Sequence, residues 1–349
     1  MENSNATNSS LEICYYLDKS NAVMIAKVVA YLLILFLSAF GNIFVIVLVL
    51  KTRRPRGVMD IFILNMAFSD LSVPLVVVPK MVYEIISDTE GLWSIGGTLG
   101  DVLCKICNFV TDISPIVSTL TLCCITIDRF LAVVRPQRFL HKEEKTHYFM
   151  SAMTWVIAMA FCSPYLYKFR TTEHDDNKIE CEISFDDPEI HRAYLMSACI
   201  LFVVIPFAMM TCMYTFLFIA LRISYKKMVT SLSQKAQRRR VIRMWTIFKL
   251  SVAVVIGFAV CWGPWNIGVF LLIFSWGWDS TSTCAFKRYW FFAILFSTSN
   301  AAISPWIYLT FVERFKKELR STIRKSITLL NVITSVQQHR NSSVQTEEN

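Results

Sequence analysis

Cys104–Phe139, CKICNFVTDISPIVSTLTLCCITIDRFLAVVRPQRF, reads as one long helix. For about twenty residues after Thr111 it is apolar, enough to cross a bilayer. Asp112 lies near one end of that run and Asp128-Arg129 at the other. A charge inside hydrocarbon costs roughly 3 kcal/mol, so each of the three needs a partner or water. The stretch describes a helix with a wet outer mouth, a dry middle and a charged inner switch.

The rest of the chain is built to match. Of 349 residues, 54% are hydrophobic and only 17% charged, with a mean hydropathy of +0.47. That excludes a soluble globule. Apolar runs recur at about 27–50, 60–83, 106–134, 149–168, 193–221, 247–275 and 289–310. Each can span about 30 Å of hydrocarbon as a helix. The expected fold is an all-α membrane protein, a seven-helix transmembrane bundle over 27–310, with its termini on opposite sides. The first twenty residues are polar, with no basic-then-apolar start, and no removable signal peptide is expected.

Charge orients the bundle. Alternate loops collect 25 of the 35 Lys and Arg residues, at 51–57, 129–147, 222–249 and beyond 310. That side is predicted to be cytoplasmic. The opposite side and its helix mouths hold 17 of the 26 Asp and Glu residues. The pI near 9.0 is therefore the sum of a basic inner face and an acidic outer one, and does not argue for nucleic acid. The basic inner residues are read as anchors for anionic lipid.

Seven of the eleven cysteines fall inside spans, where they serve as small apolar fillers. Cys14, Cys104, Cys181 and Cys284 fall outside, and four cysteines allow three pairings. Cys104–Cys181 would tie the long helix to the second outer loop, and Cys14–Cys284 the N-terminal segment to the third. Residues 1–26 form an outer tail with glycan acceptors at Asn5 and Asn8. In the second outer loop, Lys178–Phe185 alternates polar and apolar and predicts a hairpin over the mouth.

Asp70 is the one carboxylate deep in the second span, with no Lys or Arg at similar depth. It is expected in a polar pocket with Ser118, Asn300 and Ser304, filled by water or a small cation. Pro115 is expected to distort the third span locally. Pro206 interrupts the fifth, with Tyr214 two turns further in. In the sixth, Pro264 makes a hinge beside Phe258 and Trp262. Ser304-Pro305 and Tyr308 close the seventh. Phe311, Phe315 and Leu319 share one face of a short amphipathic helix at 311–325, expected on the inner leaflet. Residues 326–349 are polar and read as a disordered tail; no cysteine follows Cys284, which excludes palmitoylation there.

Taken in order, one motif per span, this chain resembles the rhodopsin-like (class A) family of G-protein-coupled receptors over about residues 25–320. The residues that carry the likeness are Gly41-Asn42, Leu64–Leu71, Cys104, Asp128-Arg129-Phe130 with Arg135-Pro136, Trp155, Cys181, Pro206 with Tyr214, Phe258-x-x-Cys261-Trp262-Gly263-Pro264, and Ser304-Pro305-x-x-Tyr308. The resemblance implies that Arg129, held by Asp128 at rest, is released towards Tyr214, Tyr308 and a heterotrimeric G protein. It implies that Trp262 and Phe258, with Pro206 and Pro264, relay ligand contact to an outward swing of the sixth helix. Asp70, Ser118, Asn300 and Ser304 match the family's sodium pocket. Arrestin and receptor kinase are implied as further partners, and the plasma membrane as the location.

The sequence also departs from the family pattern. Ser304 replaces the usual Asn or Asp before Pro305, and Thr119 replaces the usual apolar partner of Pro206 and Phe258. Met244 stands where some members place an acidic partner for Arg129, so the resting lock is expected to rest on Asp128 alone, with measurable basal signalling.

Thr111 occupies the place of the ammonium-binding Asp of amine receptors, and Thr298 that of the retinal lysine of opsins. Asp112 is one residue off, a rotation of about 100°; it faces either the pocket or a neighbouring helix. The Pro79 kink, the loop hairpin and the Cys261–Asn266 block look like the peptide-receptor branch. An acidic rim would concentrate cationic ligands. The ligand expected is a neuropeptide carrying Arg or Lys, with contacts from Glu84, Asp112, Glu180 and Glu182 and from Trp265, Asn266, Trp290 and Ile294. The alternative is a small amine or lipid ligand. The five scattered His residues offer no nucleophile–base or metal cluster, so no enzyme is expected. A transporter would show internal repeats, and none is visible.

Overall fold

The computed structural model describes residues 20–328 apart from 52–57, 88, 90–91, 94, 135–143, 174–178, 184, 186, 231–234, 277–283, 314, 322–323 and 325–327. Asn5, Asn8, Cys14 and the tail after 328 lie outside the described residues, as does the side chain of Cys284, so the Cys14–Cys284 pairing does too. Seven helices are long and apolar enough to cross a membrane. They are α1 (Asn21–Lys51), α2 (Val58–Ser87), α3 (Gly97–Val134), α4 (Glu144–Cys162), α5 (residues 188–230), α6 (Lys235–Leu271, with Leu272–Trp276 as a last wide turn) and α7 (Cys284–Phe311).

Helix boundaries follow local chemistry. α1 begins before the hydropathy onset at 27 because Ser20 Oγ accepts from Val23 N at 3.3 Å, satisfying an otherwise orphaned first-turn donor. Asp187 does the same for α5, accepting from Glu189 N at 2.9 Å, with Pro188 in the first turn. Within α5, Ile200–Val204 forms a π turn just ahead of Pro206. Pro206 has no N–H to donate, and a wide turn upstream absorbs the interrupted ladder. α3 stays helical through Pro115. Ile113, Ile116 and Val117, on either side of it in sequence, cluster with Ala158 and Cys162 of α4.

Between α4 and α5, β1 (Phe169–Glu173) pairs antiparallel with β2 (Ile179–Ile183), opposing Thr171 to Cys181. Cys181 is disulfide-bonded to Cys104 near the start of α3. Trp93 N donates to Ile179 O at 2.6 Å, adding the first outer loop to the hairpin. Trp93 is thus a packing aromatic; its Nε1 also reaches Gly100 O at 3.2 Å.

The packing is that of a bundle in lipid. Phe62, Met66, Leu122, Tyr214, Leu250, Phe258 and Tyr308 form one buried core through the inner half. Outward-facing positions are also apolar: Phe36, Phe149 and Ile256 are among many exposed large side chains. Water would not tolerate such belts on a monomer, whereas hydrocarbon does. After α7 a helical segment covers 315–321, with Phe315 buried in the core and Leu319 packed against it. The apolar face of this segment packs on the bundle core, where the sequence led one to expect it against the inner leaflet.

Candidate functional site

Several buried polar side chains are placed where helices cross. Asn42 Nδ2 reaches Ala301 O at 2.8 Å, joining α1 to α7. Gly41 makes that approach possible: a Cβ there would stand 2.7 Å from Pro305 Cγ. Asn65 is a three-helix hub. Its Nδ2 donates to Thr121 Oγ1 at 2.8 Å and to Thr154 Oγ1 at 3.2 Å, and its Oδ1 accepts from Trp155 Nε1 at 2.9 Å. Ser69 and Ser114 pair at 3.0 Å between α2 and α3. Single polar residues at such depth are stable only when bonded across helices.

Asp70 lies at the centre of this network, buried. Ser118 Oγ and Asn300 Nδ2 both approach its Oδ1 at 3.4 Å, and Ser304 is within hydrogen-bonding reach. Its Oδ2 has no partner among the described residues. The four residues expected together are together. An orphaned carboxylate oxygen beside two hydroxyls is a donor set of the kind a small hard cation takes.

At the inner end of α3, Arg129 Nη2 is paired with Asp128 Oδ2. The other oxygen is also held. His147 Nε2, on α4, lies 3.2 Å from Asp128 Oδ1, and both side chains are almost wholly buried. The carboxylate that pairs with Arg129 is thus itself held by α4. His147 was missed because nothing in its own sequence neighbourhood marks it; only the crossing of α3 and α4 brings it to the carboxylate. Phe62 stacks edge-on against its ring at 5.9 Å.

Tyr214 and Tyr308, implied as receivers of Arg129, hold other partners in this conformation. Tyr214 OH accepts from Thr126 Oγ1 at 3.0 Å, and Tyr308 OH points at Met66 Sδ at 3.4 Å. Phe130 packs on Phe216 at 5.2 Å. Arg129, Tyr214 and Met244 line a small inner cavity of about 30 Å³.

A larger cavity, about 530 Å³, opens in the outer half between α3, α4, α5 and α6. This is the size of a small-molecule site. Trp262 and Phe258 form its inner floor, stacked at 6.1 Å, and Phe207, next to Pro206, stacks on Phe258 at 6.3 Å. Pro264 is inside α6, and Tyr289 of α7 donates to its carbonyl at 2.5 Å.

The structure sorts the eight expected ligand contacts. Asp112, Trp265 and Asn266 line the outer cavity. Asp112 turns to both places offered for it: it faces the cavity and has Tyr165, just beyond α4, within hydrogen-bonding reach. Trp290 meets Trp265 edge-on at 4.9 Å, and Ile294 lies a turn below it on α7. Glu84 is buried towards α1, with Lys80 Nζ at 3.8 Å. Glu180 and Glu182 are on β2; Glu182 accepts from Thr172 at 2.8 Å. The acidic rim is partly committed to structure: Asp101 pairs with Lys105 at 2.6 Å and accepts from Thr171 N at 3.2 Å.

A seven-helix membrane bundle with an outer cavity, a buried polar centre and an Asp128–Arg129 pair at the inner end of α3 is the architecture of a transmembrane receptor. Residues 41–308 match the family described as "7 transmembrane receptor (rhodopsin family)", and the chain belongs to it. It is similar to a "QRFP-like peptide receptor" of Branchiostoma floridae, 26% identical over 319 residues, covering 89% of this chain and 81% of that one. It is also similar to "Neuropeptide Y receptor type 1" of Xenopus laevis, 26% identical over 301 residues (83% and 78%). The "Isotocin receptor" of Catostomus commersonii is 23% identical over 331 residues (90% and 81%).

Proposed function

We propose that the chain is a plasma-membrane receptor for an extracellular basic peptide, with its N-terminus outside and its C-terminus in the cytoplasm. It would pass the signal to a heterotrimeric G protein by an outward movement of α6. The observation that carries this reading is Asp112: a carboxylate on the cavity wall with no Lys or Arg paired to it among the described residues. A carboxylate so placed is completed by a cation from the ligand. Two of the relatives are named as receptors for peptides, which supports a peptide as its source.

In this reading Glu180 and Glu182 on the hairpin steer the peptide, Asp112 holds a Lys or Arg, and Trp265, Asn266, Trp290 and Ile294 close on apolar neighbours, with Glu84 a further contact towards α1. Ligand seated on Trp262 favours the arrangement in which Arg129 leaves Asp128, and G protein bound inside favours the same arrangement. Each therefore raises the affinity for the other. Asp70, Ser118 and Ser304, with Asn300 beside them, would hold a sodium ion that stabilises the resting arrangement. Arrestin and receptor kinase would follow at the inner face, and glycans at Asn5 and Asn8 outside.

A cell-based screen of amidated peptides beside a panel of small amines tests the reading. A hit among basic peptides, weakened by Glu180→Lys with Glu182→Lys while neutral peptides are spared, is the expected result. Equal losses for both peptide types would remove steering, and a response to amines alone would remove the peptide.

A further inference from the structure

The ladder of α6 is altered at two successive rungs. Pro264 has no N–H, so Val260 O lacks the donor that a helix supplies four residues on. One turn further out, the rung from Pro264 O to Gly268 N is shared with a second helix. Tyr289 of α7 donates its hydroxyl to Pro264 O at 2.5 Å, and Gly268 N–H is within hydrogen-bonding reach of the same hydroxyl oxygen. A phenol so placed serves both ends of one rung in a helix to which it does not belong.

Gly268 permits the approach. A Cβ there would stand 2.7 Å from Tyr289 Cε1 and 3.3 Å from two ring atoms of Trp290. Trp290 in turn meets Trp265 edge-on, so a hydroxyl and a pair of indoles hold the outer half of α6 on α7. On the inner side of Pro264 the polar contact between the same helices is a thiol: Cys261 Sγ lies 3.9 Å from Ser299 Oγ. A thiol is a weak donor, so α6 is tied firmly outside its proline and loosely inside it.

We infer that Tyr289 is a positioning residue, whose hydroxyl pins α6 to α7 one turn beyond Pro264 and makes the inner half of α6 the part that swings. A helix bends where its ladder is interrupted. With the outer half pinned, bending between Val260 and Pro264 displaces the cytoplasmic end. With the pin removed, the same bending is divided between the two ends. The pin rests on the α6 movement proposed above for its consequence, and on the outer joint alone for its existence.

The test uses the full-length receptor in phosphatidylcholine nanodiscs, with nitroxides carried on p-acetylphenylalanine so that the native cysteines are untouched. One pair replaces Ile86 on α2 and Phe274 at the outer end of α6. The other replaces Phe149 on α4 and Ile242 at the inner end of α6; all four side chains are exposed. Electron–electron double resonance gives a distance distribution for each pair. In the unmodified receptor the inner distribution should be about twice as wide as the outer one or more. Tyr289→Phe, which removes one oxygen and keeps the ring, should widen the outer distribution about twofold and narrow the inner one. Gly268→Ala should do the same by pushing the ring away with its hydroxyl intact. An outer width unchanged by Tyr289→Phe overturns the pin, including the case in which Gly268→Ala alone widens it and the ring merely fills space. An inner distribution as narrow as the outer one in the unmodified receptor would count against the α6 movement instead, with the pin still decided by the outer pair.

Discussion

His147 and Arg129 divide one carboxylate between them: Asp128 gives Oδ2 to the guanidinium and Oδ1 to the imidazole of α4. His147 Nδ1 has no partner among the described residues. Removing the imidazole leaves a buried carboxylate oxygen unsatisfied, at a cost of about 1–3 kcal/mol borne by the locked arrangement. His147→Phe should therefore raise basal nucleotide exchange about fivefold or more, and His147→Gln, which keeps a donor, should restore much of the restraint. Guanine-nucleotide exchange in membranes with matched surface receptor measures this. A His147→Phe variant as quiet as the parent would mean the imidazole only fills space.

Two glycines should respond oppositely to a methyl group. At Gly41 the new Cβ would meet Pro305 at 2.7 Å, inside van der Waals contact. Gly41→Ala should lose about 1–3 kcal/mol through overpacking, seen as a lower unfolding midpoint and less receptor at the surface. At Gly263 there is open space. Gly263→Ala should be neutral or stabilising by up to about 1 kcal/mol, the helix-propensity gain.

Asp70 Oδ2, left without a partner among described residues, predicts a cation-dependent midpoint. Sodium chloride should raise thermal stability of the purified receptor above choline chloride at equal ionic strength. Asp70→Asn should abolish that difference, since the amide carries no charge to neutralise. A difference that persists in Asp70→Asn would move the ion elsewhere.

Asn65 binds side chains from α3 and α4 at once. Asn65→Leu keeps the bulk but leaves Trp155 Nε1 without its acceptor, while Thr121 and Thr154 keep their bonds to Val117 O and Ser151 O, and should destabilise by about 2 kcal/mol. Trp155→Phe breaks one of the three bonds and should cost about half as much. The two variants combined should cost less than their sum, because they share a bond.

Much of this was legible in the sequence, for reasons particular to membranes. Seven spans could be read because hydrocarbon demands long apolar helices, and Asp70 could be grouped with Ser118, Asn300 and Ser304 because a lone carboxylate at that depth has few possible companions. The hairpin followed from alternation around Cys181. What could not be read depends on rotation and crossing. The position of Asp112 in sequence left two orientations open, and the structure combines them, with the carboxylate on the cavity wall and Tyr165 in reach. His147 lies among ordinary helix residues, and its role exists only where α4 crosses α3. The π turn before Pro206 has a local cause in the missing N–H, yet the strain could equally have been absorbed by a kink.

Hydrogen bonds between helices are unevenly shared. α1, α2, α3, α4 and α7 are stitched through Asn42, Asn65, Ser69 and Asp70. The inner half of α6 instead meets α5 largely through rings: Phe218 and Tyr214 against Trp245 and Phe248, with centroids 5.6–6.3 Å apart within that group. Riveted joints resist displacement at each bond, while greased ones give way with little loss of contact. In the outward movement of α6 proposed above, this ring-lined seam beside Arg129 is where the two helices would part and a cytoplasmic partner would enter.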